Sequence, residues 1–144
     1  MNKYSIKQLS VFVENRKGEL TNATSILFEE NISIKSLLLV ESTGFGILRL
    51  IVDNPDTARE VYVAAGYTVK VDEVFAVKVE DKLGEFHKVA KILSEHDINI
   101  LYTYAFRNEN AGVFVFKVDK GDFIRAMEAL KEGSLELMEP SFFY

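Results

Sequence analysis

Displaced by 66 residues, the sequence aligns with itself without a gap, and a chain with such a period folds as like units. Residues 8–66 and 74–132 share 15 identities in 59 positions. These include Val11/Val77, Val13/Val79, Glu14/Glu80, Gly18/Gly84, Ile26/Ile92, Leu27/Leu93, Ile32/Ile98, Ile34/Ile100, Gly46/Gly112, Val52/Val118 and Asp53/Asp119. The conservative pairs Leu20/Phe86, Ile47/Val113, Leu48/Phe114, Val69/Leu135 and Val71/Leu137 carry the same register to the end. The period predicts two units, 1–72 and 74–144, with only Asp72-Glu73-Val74 about the joint. So short a joint predicts a fixed pair, side by side. Units of about 70 residues bury modest cores, so pairing is a natural source of stability.

Periodicity gives each unit the same order. Leu9, Val11 and Val13 alternate with Ser10 and Phe12 as a strand. After the polar loop 14–19, Leu20, Ala23, Ile26 and Leu27 take helical spacing, which Phe86, Val89, Ile92 and Leu93 repeat. Ile34 to Glu41 and Phe45 to Asp53, parted by Ser42-Thr43-Gly44, form a hairpin signal. Asn54-Pro55 starts a second helix that ends before Gly66, and Tyr67 to Val71 closes the unit as a strand. The second copy places strands near 75–79, 100–107, 112–118 and 135–138, with helices near 86–96 and 122–131. The resulting class is α+β: two ferredoxin-like βαββαβ units, each an antiparallel sheet with both helices on one face. If Leu48, Leu50 and Val52 face the helices, alternation puts Ile47, Ile51, Phe12, Leu37 and Leu39 on the other face. An apolar patch there predicts packing on another sheet, in a homodimer or between the copies.

Composition narrows the function. No segment has the apolar length of a membrane helix or the pattern of a signal peptide, so a cytoplasmic location is expected. The chain has no cysteine, which removes disulfides, thiolate metal sites and cysteine nucleophiles. A net charge of −5 without a basic cluster argues against nucleic acid. The stretch Thr43-Gly44-Phe45-Gly46-Ile47-Leu48 lacks the stacking aromatics of an RNA-binding strand. His87 and His96, the only histidines, have no obvious Ser or Asp partner for catalysis and read as surface residues, and no catalytic constellation, metal site or cofactor motif is found.

Both copies keep the turn between first strand and first helix, Glu14-Asn15-Arg16-Lys17-Gly18-Glu19-Leu20 and Glu80-Asp81-Lys82-Leu83-Gly84-Glu85-Phe86. Glycine at a helix start lets a ligand approach the backbone, and the free amides there suit a carboxylate. One helix later come Asn31-Ile32-Ser33-Ile34 and Asp97-Ile98-Asn99-Ile100. With these turns and lead-ins repeated in register, the chain resembles a tandem ACT-domain protein over its full length. The turns depart from the family pattern in having Lys17 and Leu83, where Pro often precedes the glycine.

The resemblance implies units joined edge to edge and a free amino acid bound at the seam, regulating amino-acid metabolism. It implies ligand contacts from Asn15, Lys17, Gly18, Glu19 and Leu20, and from Asp81, Leu83, Gly84, Glu85 and Phe86. Ser33, Ile34, Asn99, Ile100 and Leu101 would face these turns. The expectation is a regulatory protein, not an enzyme, acting in trans on a protein partner. An enzyme subunit with its active site at the same seam and a purely structural interaction module are the alternatives. The copies differ at Asn15/Asp81, Lys17/Leu83 and Ser33/Asn99, so one good site and one degenerate site are expected.

Overall fold

The computed structural model describes residues 2–144. In chain order they form β1 (Ile6–Glu14), α1 (Glu19–Glu29), β2 (Ile34–Ser42), β3 (Phe45–Val52), α2 (Pro55–Ala64) and β4 (Thr68–Glu80). The second half continues with α3 (Glu85–Glu95), β5 (Ile100–Asn108), β6 (Ala111–Val118), α4 (Phe123–Glu132) and β7 (Glu136–Leu137). Contacts divide the chain into two compact units. One holds Lys7–Asp72 with Phe143–Tyr144, and the other holds Glu73–Phe142 with the residues up to Ile6.

Each unit is a ferredoxin-like layer of sheet and helices. In the first-repeat unit the strand order is β2-β3-β1-β4, and in the second-repeat unit β5-β6-β4-β7. Leu9, Val11, Leu48 and Leu50 pack under Ala23, Leu27, Ala58 and Tyr62 in the first core. Tyr62 also ties α2 to α1, its hydroxyl donating to the Ala23 carbonyl at 2.7 Å. In the second core Phe75, Val77, Phe116 and Val118 meet Val89, Leu93, Met127 and Leu130. Helix α2 starts as its sequence dictates, with Asn54 Oδ1 accepting the Thr57 amide and Pro55 at the first helical position.

The chain ends pack with the units just named. Tyr4 lies under the Lys131 ammonium at 4.7 Å, and Ser5 Oγ donates to the Glu73 carboxylate at 2.6 Å. The Tyr144 hydroxyl accepts the Lys7 amide at 2.8 Å, and Phe143 is buried, so the apolar C-terminal residues are tied down.

Three sequence expectations are corrected. Residues 72–74, expected to intervene between two strands, lie inside β4, a single strand of 13 residues, although the two compact units still part there, between Asp72 and Glu73. Asp72 is tolerated there because its carboxylate accepts from Ser10 Oγ at 2.6 Å and lies 3.6 Å from Arg49. The hairpin loop is two residues, not three, since Ser42 pairs with Phe45. That one-residue change puts Leu37 opposite Leu50 and Leu39 opposite Leu48, on the helix side of the sheet. Phe12 pairs with Ile47, and Ile51 with Ser36, on the other face as expected.

The offset of 66 also ends with β3. Tyr67 closes α2 by donating its amide to the Tyr62 carbonyl, and Leu135 does the same to Leu130 at the end of α4. Those pairs are offset by 68. Two extra residues are taken up by a 3-10 turn at Lys120–Asp122, where the second copy lacks the Asn-Pro start.

Candidate functional site

Both β1–α1 and β4–α3 turns have one shape because glycine occupies the same step. Gly18 and Gly84 hold φ of 85° and 89°, a left-handed conformation that costs other residues about 1–2 kcal/mol. A Cβ at either glycine would meet nothing within 4 Å, so the space beside each turn is open. Neither α1 nor α3 has a side-chain cap, and the first amides of a helix lack partners inside it. The partial positive charge at those amides suits a carboxylate.

In the first-repeat unit this turn borders a hollow of about 300 Å³. Asn15, Gly18, Glu19 and Leu20 line its helix side. Val13, Leu39 and Gly46 line its sheet side, with Glu41 at the strand end. The register Leu39↔Leu48, Glu41↔Gly46 and Val13↔Gly46 sets these residues on the helix face together. Gly46 keeps the floor low, since a Cβ there would lie 3.2 Å from Val13 Cγ2 and 3.4 Å from Leu39 Cδ1.

The charges beside the hollow are mostly engaged. Arg16 lies 3.1 Å from Glu14 and 3.4 Å from Glu19. Glu19 is buried and also accepts from the Tyr67 hydroxyl at 3.2 Å. Burial, with the Glu19 carboxylate beside it, pushes the Tyr67 phenol above its ordinary range and keeps it a donor. The sequence reading missed Leu39, Glu41 and Gly46. The Gly46/Gly112 identity was a signal for the last, whereas Glu41 needed the strand register.

Other expected residues lie elsewhere. Lys17 is exposed and does not line the hollow. Ser33 and Ile34 sit at the far end of α1, where Ser33 donates its amide to Asp53 Oδ1 at 3.0 Å and Ile34 pairs with Val52. Eleven helical residues separate that end from Gly18, roughly 16 Å at 1.5 Å per residue.

The second-repeat turn is differently furnished. Phe86 stacks on Phe116 with ring centroids 5.9 Å apart and meets Phe114 at a tilt, 4.9 Å away, where the first repeat has three leucines. Asp81 pairs with Arg107 at 2.9 Å, Glu85 lies 3.7 Å from Lys82, and Leu83 is wholly exposed. Asn99 and Ile100 line a separate shallow depression at the far end of α3, next to the exposed Leu101.

Among the described residues no group of acidic or histidine side chains could hold a metal, and no helix is long and apolar enough to cross a membrane.

Known structures share the fold. A crystal structure of a Bacteroides thetaiotaomicron protein is 35% identical with a TM-score of 0.91, covering 98% of this chain and 96% of that one. The ligand-free regulatory subunit of aspartate kinase from Thermus thermophilus is 14% identical with a TM-score of 0.64, covering 88% and 91%. Aspartokinase alpha and beta subunits, 16% identical, give a TM-score of 0.63 and coverage of 91% and 93%. At those last two identities the likeness is one of fold. No match is found among curated proteins. The model of the family described as the ACT domain pair matches residues 4–141, and the chain belongs to that family.

Proposed function

We propose that this chain is a regulatory protein that binds a free amino acid in the first-repeat hollow and passes the signal to a protein partner. The observation that carries the reading is the pairing, in one unit, of an uncapped helix start at Gly18 with an apolar wall from Leu20 and Leu39. A carboxylate meets the α1 amides while an aliphatic side chain covers the two leucines. The volume of about 300 Å³ suits a small ligand. The second-repeat turn, flanked by the packed rings of Phe86 and Phe116 and spanned by the Asp81–Arg107 pair, is the degenerate copy. The β2 and β5 starts, with Ser33, Ile34, Asn99, Ile100 and Leu101, stand a helix length from the turn of their own unit. In this reading a second copy of the chain supplies them in a homodimer.

A thermal-shift screen against the twenty amino acids tests the proposal. A ligand at 100 times its dissociation constant stabilises the fold by roughly 2.7 kcal/mol, read as a rise of a few degrees. A folded protein that responds to none overturns the reading. Binding that survives Gly18→Val moves the site away from this turn.

A further inference from the structure

We infer that the first-repeat hollow selects its ligand by charge, taking an amino acid whose aliphatic side chain ends in a cation, with Glu41 as the selecting residue. The inference rests on the amino-acid-binding reading above. Its ground is a comparison of the two copies at one pair of positions.

In the second-repeat unit, Arg107 at the end of β5 reaches the turn and pairs with Asp81 at 2.9 Å. Arg107 stands opposite Gly112, as Glu41 stands opposite Gly46, so the two strand-end positions are equivalent. Asp81 and Asn15 each directly follow the last residue of the strand before the turn. The first repeat therefore carries Asn15 and Glu41 where the second carries an acid and its guanidinium. The guanidinium is gone, the strand-end charge is reversed, and both residues line the hollow.

Among the described residues lining the hollow, Arg16 is the one cation, and it does not replace Arg107. Arg16 is engaged by Glu14 and Glu19, and Lys17 lies outside the lining. The residues lining the hollow include three carboxylates, Glu14, Glu19 and Glu41, and the single guanidinium of Arg16, which pairs with the first two. A ligand ammonium or guanidinium beside Glu41 stands where Arg107 stands in the other copy, with the Asn15 amide oxygen as a second acceptor. The stem leading to it lies along Leu20 and Leu39, as long cationic side chains cover apolar surface while their heads stay polar. An acidic side chain in that position meets repulsion from Glu41.

Three probes of similar size separate the possibilities: L-lysine, L-norleucine, which keeps the lysine stem without its ammonium, and L-glutamate. Titration calorimetry on the full chain is expected to show lysine binding about three- to fivefold tighter than norleucine, the scale of a well-placed exposed ion pair. Glutamate is expected to be the weakest. Glu41→Gln should bring the ratio of lysine to norleucine affinity close to one. The double variant Asn15→Asp, Glu41→Arg rebuilds the ion pair of the second repeat and should abolish lysine binding, with a cooperative thermal transition confirming that it is folded. Norleucine binding as tightly as lysine, or a lysine preference that survives Glu41→Gln, overturns the charge selection and leaves amino-acid binding standing. No response to any of the twenty amino acids overturns both.

Discussion

Gly18 and Gly84 take the same left-handed conformation, and a side chain at either would touch nothing, so the cost of replacing them lies in the backbone alone. Gly18→Ala and Gly84→Ala are each expected to destabilise the fold by about 1–2 kcal/mol and to lower Tm by similar amounts. Ligand affinity should fall only in the Gly18 variant, since only that turn borders the hollow. Equal losses of affinity in calorimetry would mean that the two turns are functionally alike. Both glycines were legible in the sequence because the period repeats them. The burial of Glu19 was not, because its phenol partner, Tyr67, stands 48 residues away and belongs to another element. Tyr62 illustrates the same limit: its place on the inner stripe of α2 follows from spacing, but its bond to the Ala23 carbonyl depends on how α1 and α2 cross. Tyr62→Phe removes that bond and should lower stability by about 1 kcal/mol in denaturant unfolding, with ligand binding retained.

Elements were legible as far as local periodicity defines them. Strand and helix positions in both copies follow the alternation and the helical spacing of their apolar residues. What failed depends on pairing: one residue in the β2–β3 loop decides which face Leu37 and Leu39 take, and two residues in the turn before α4 break the offset. That residues 72–74 continue a strand depends on pairing too. A strand can carry Asp72 only because β1 and β3 bring Ser10 and Arg49 to it, and no local pattern announces that. Ser10→Ala is therefore expected to cost about 1–3 kcal/mol, since the hydroxyl donates to Asp72 and accepts from Arg49 at 2.9 Å in a buried setting. A loss below a few tenths of a kcal/mol would show that Asp72 and Arg49 satisfy each other without it.

At the scale of the whole molecule, the two copies hold one backbone plan with two chemistries at corresponding turns. The leucines at 20, 48 and 50 become Phe86, Phe114 and Phe116, and the Phe86 ring packs against both of the others, stacked on Phe116 and tilted to Phe114. The Asn15 and Glu41 positions become an ion pair. Aromatic packing and an ion pair furnish the second turn, whereas the first borders a hollow lined by the apolar Leu20 and Leu39 and the Glu41 carboxylate. Titration of the whole chain should therefore give one ligand per chain, with a single class of affinity. Phe86→Leu removes ring contacts worth about 0.5–1.5 kcal/mol beyond area, so it should lower stability while leaving that stoichiometry and affinity unchanged. Two ligands per chain in the unsubstituted protein would contradict this division of labour. A second equivalent appearing only in Phe86→Leu would instead show that the ring keeps a ligand from the second turn.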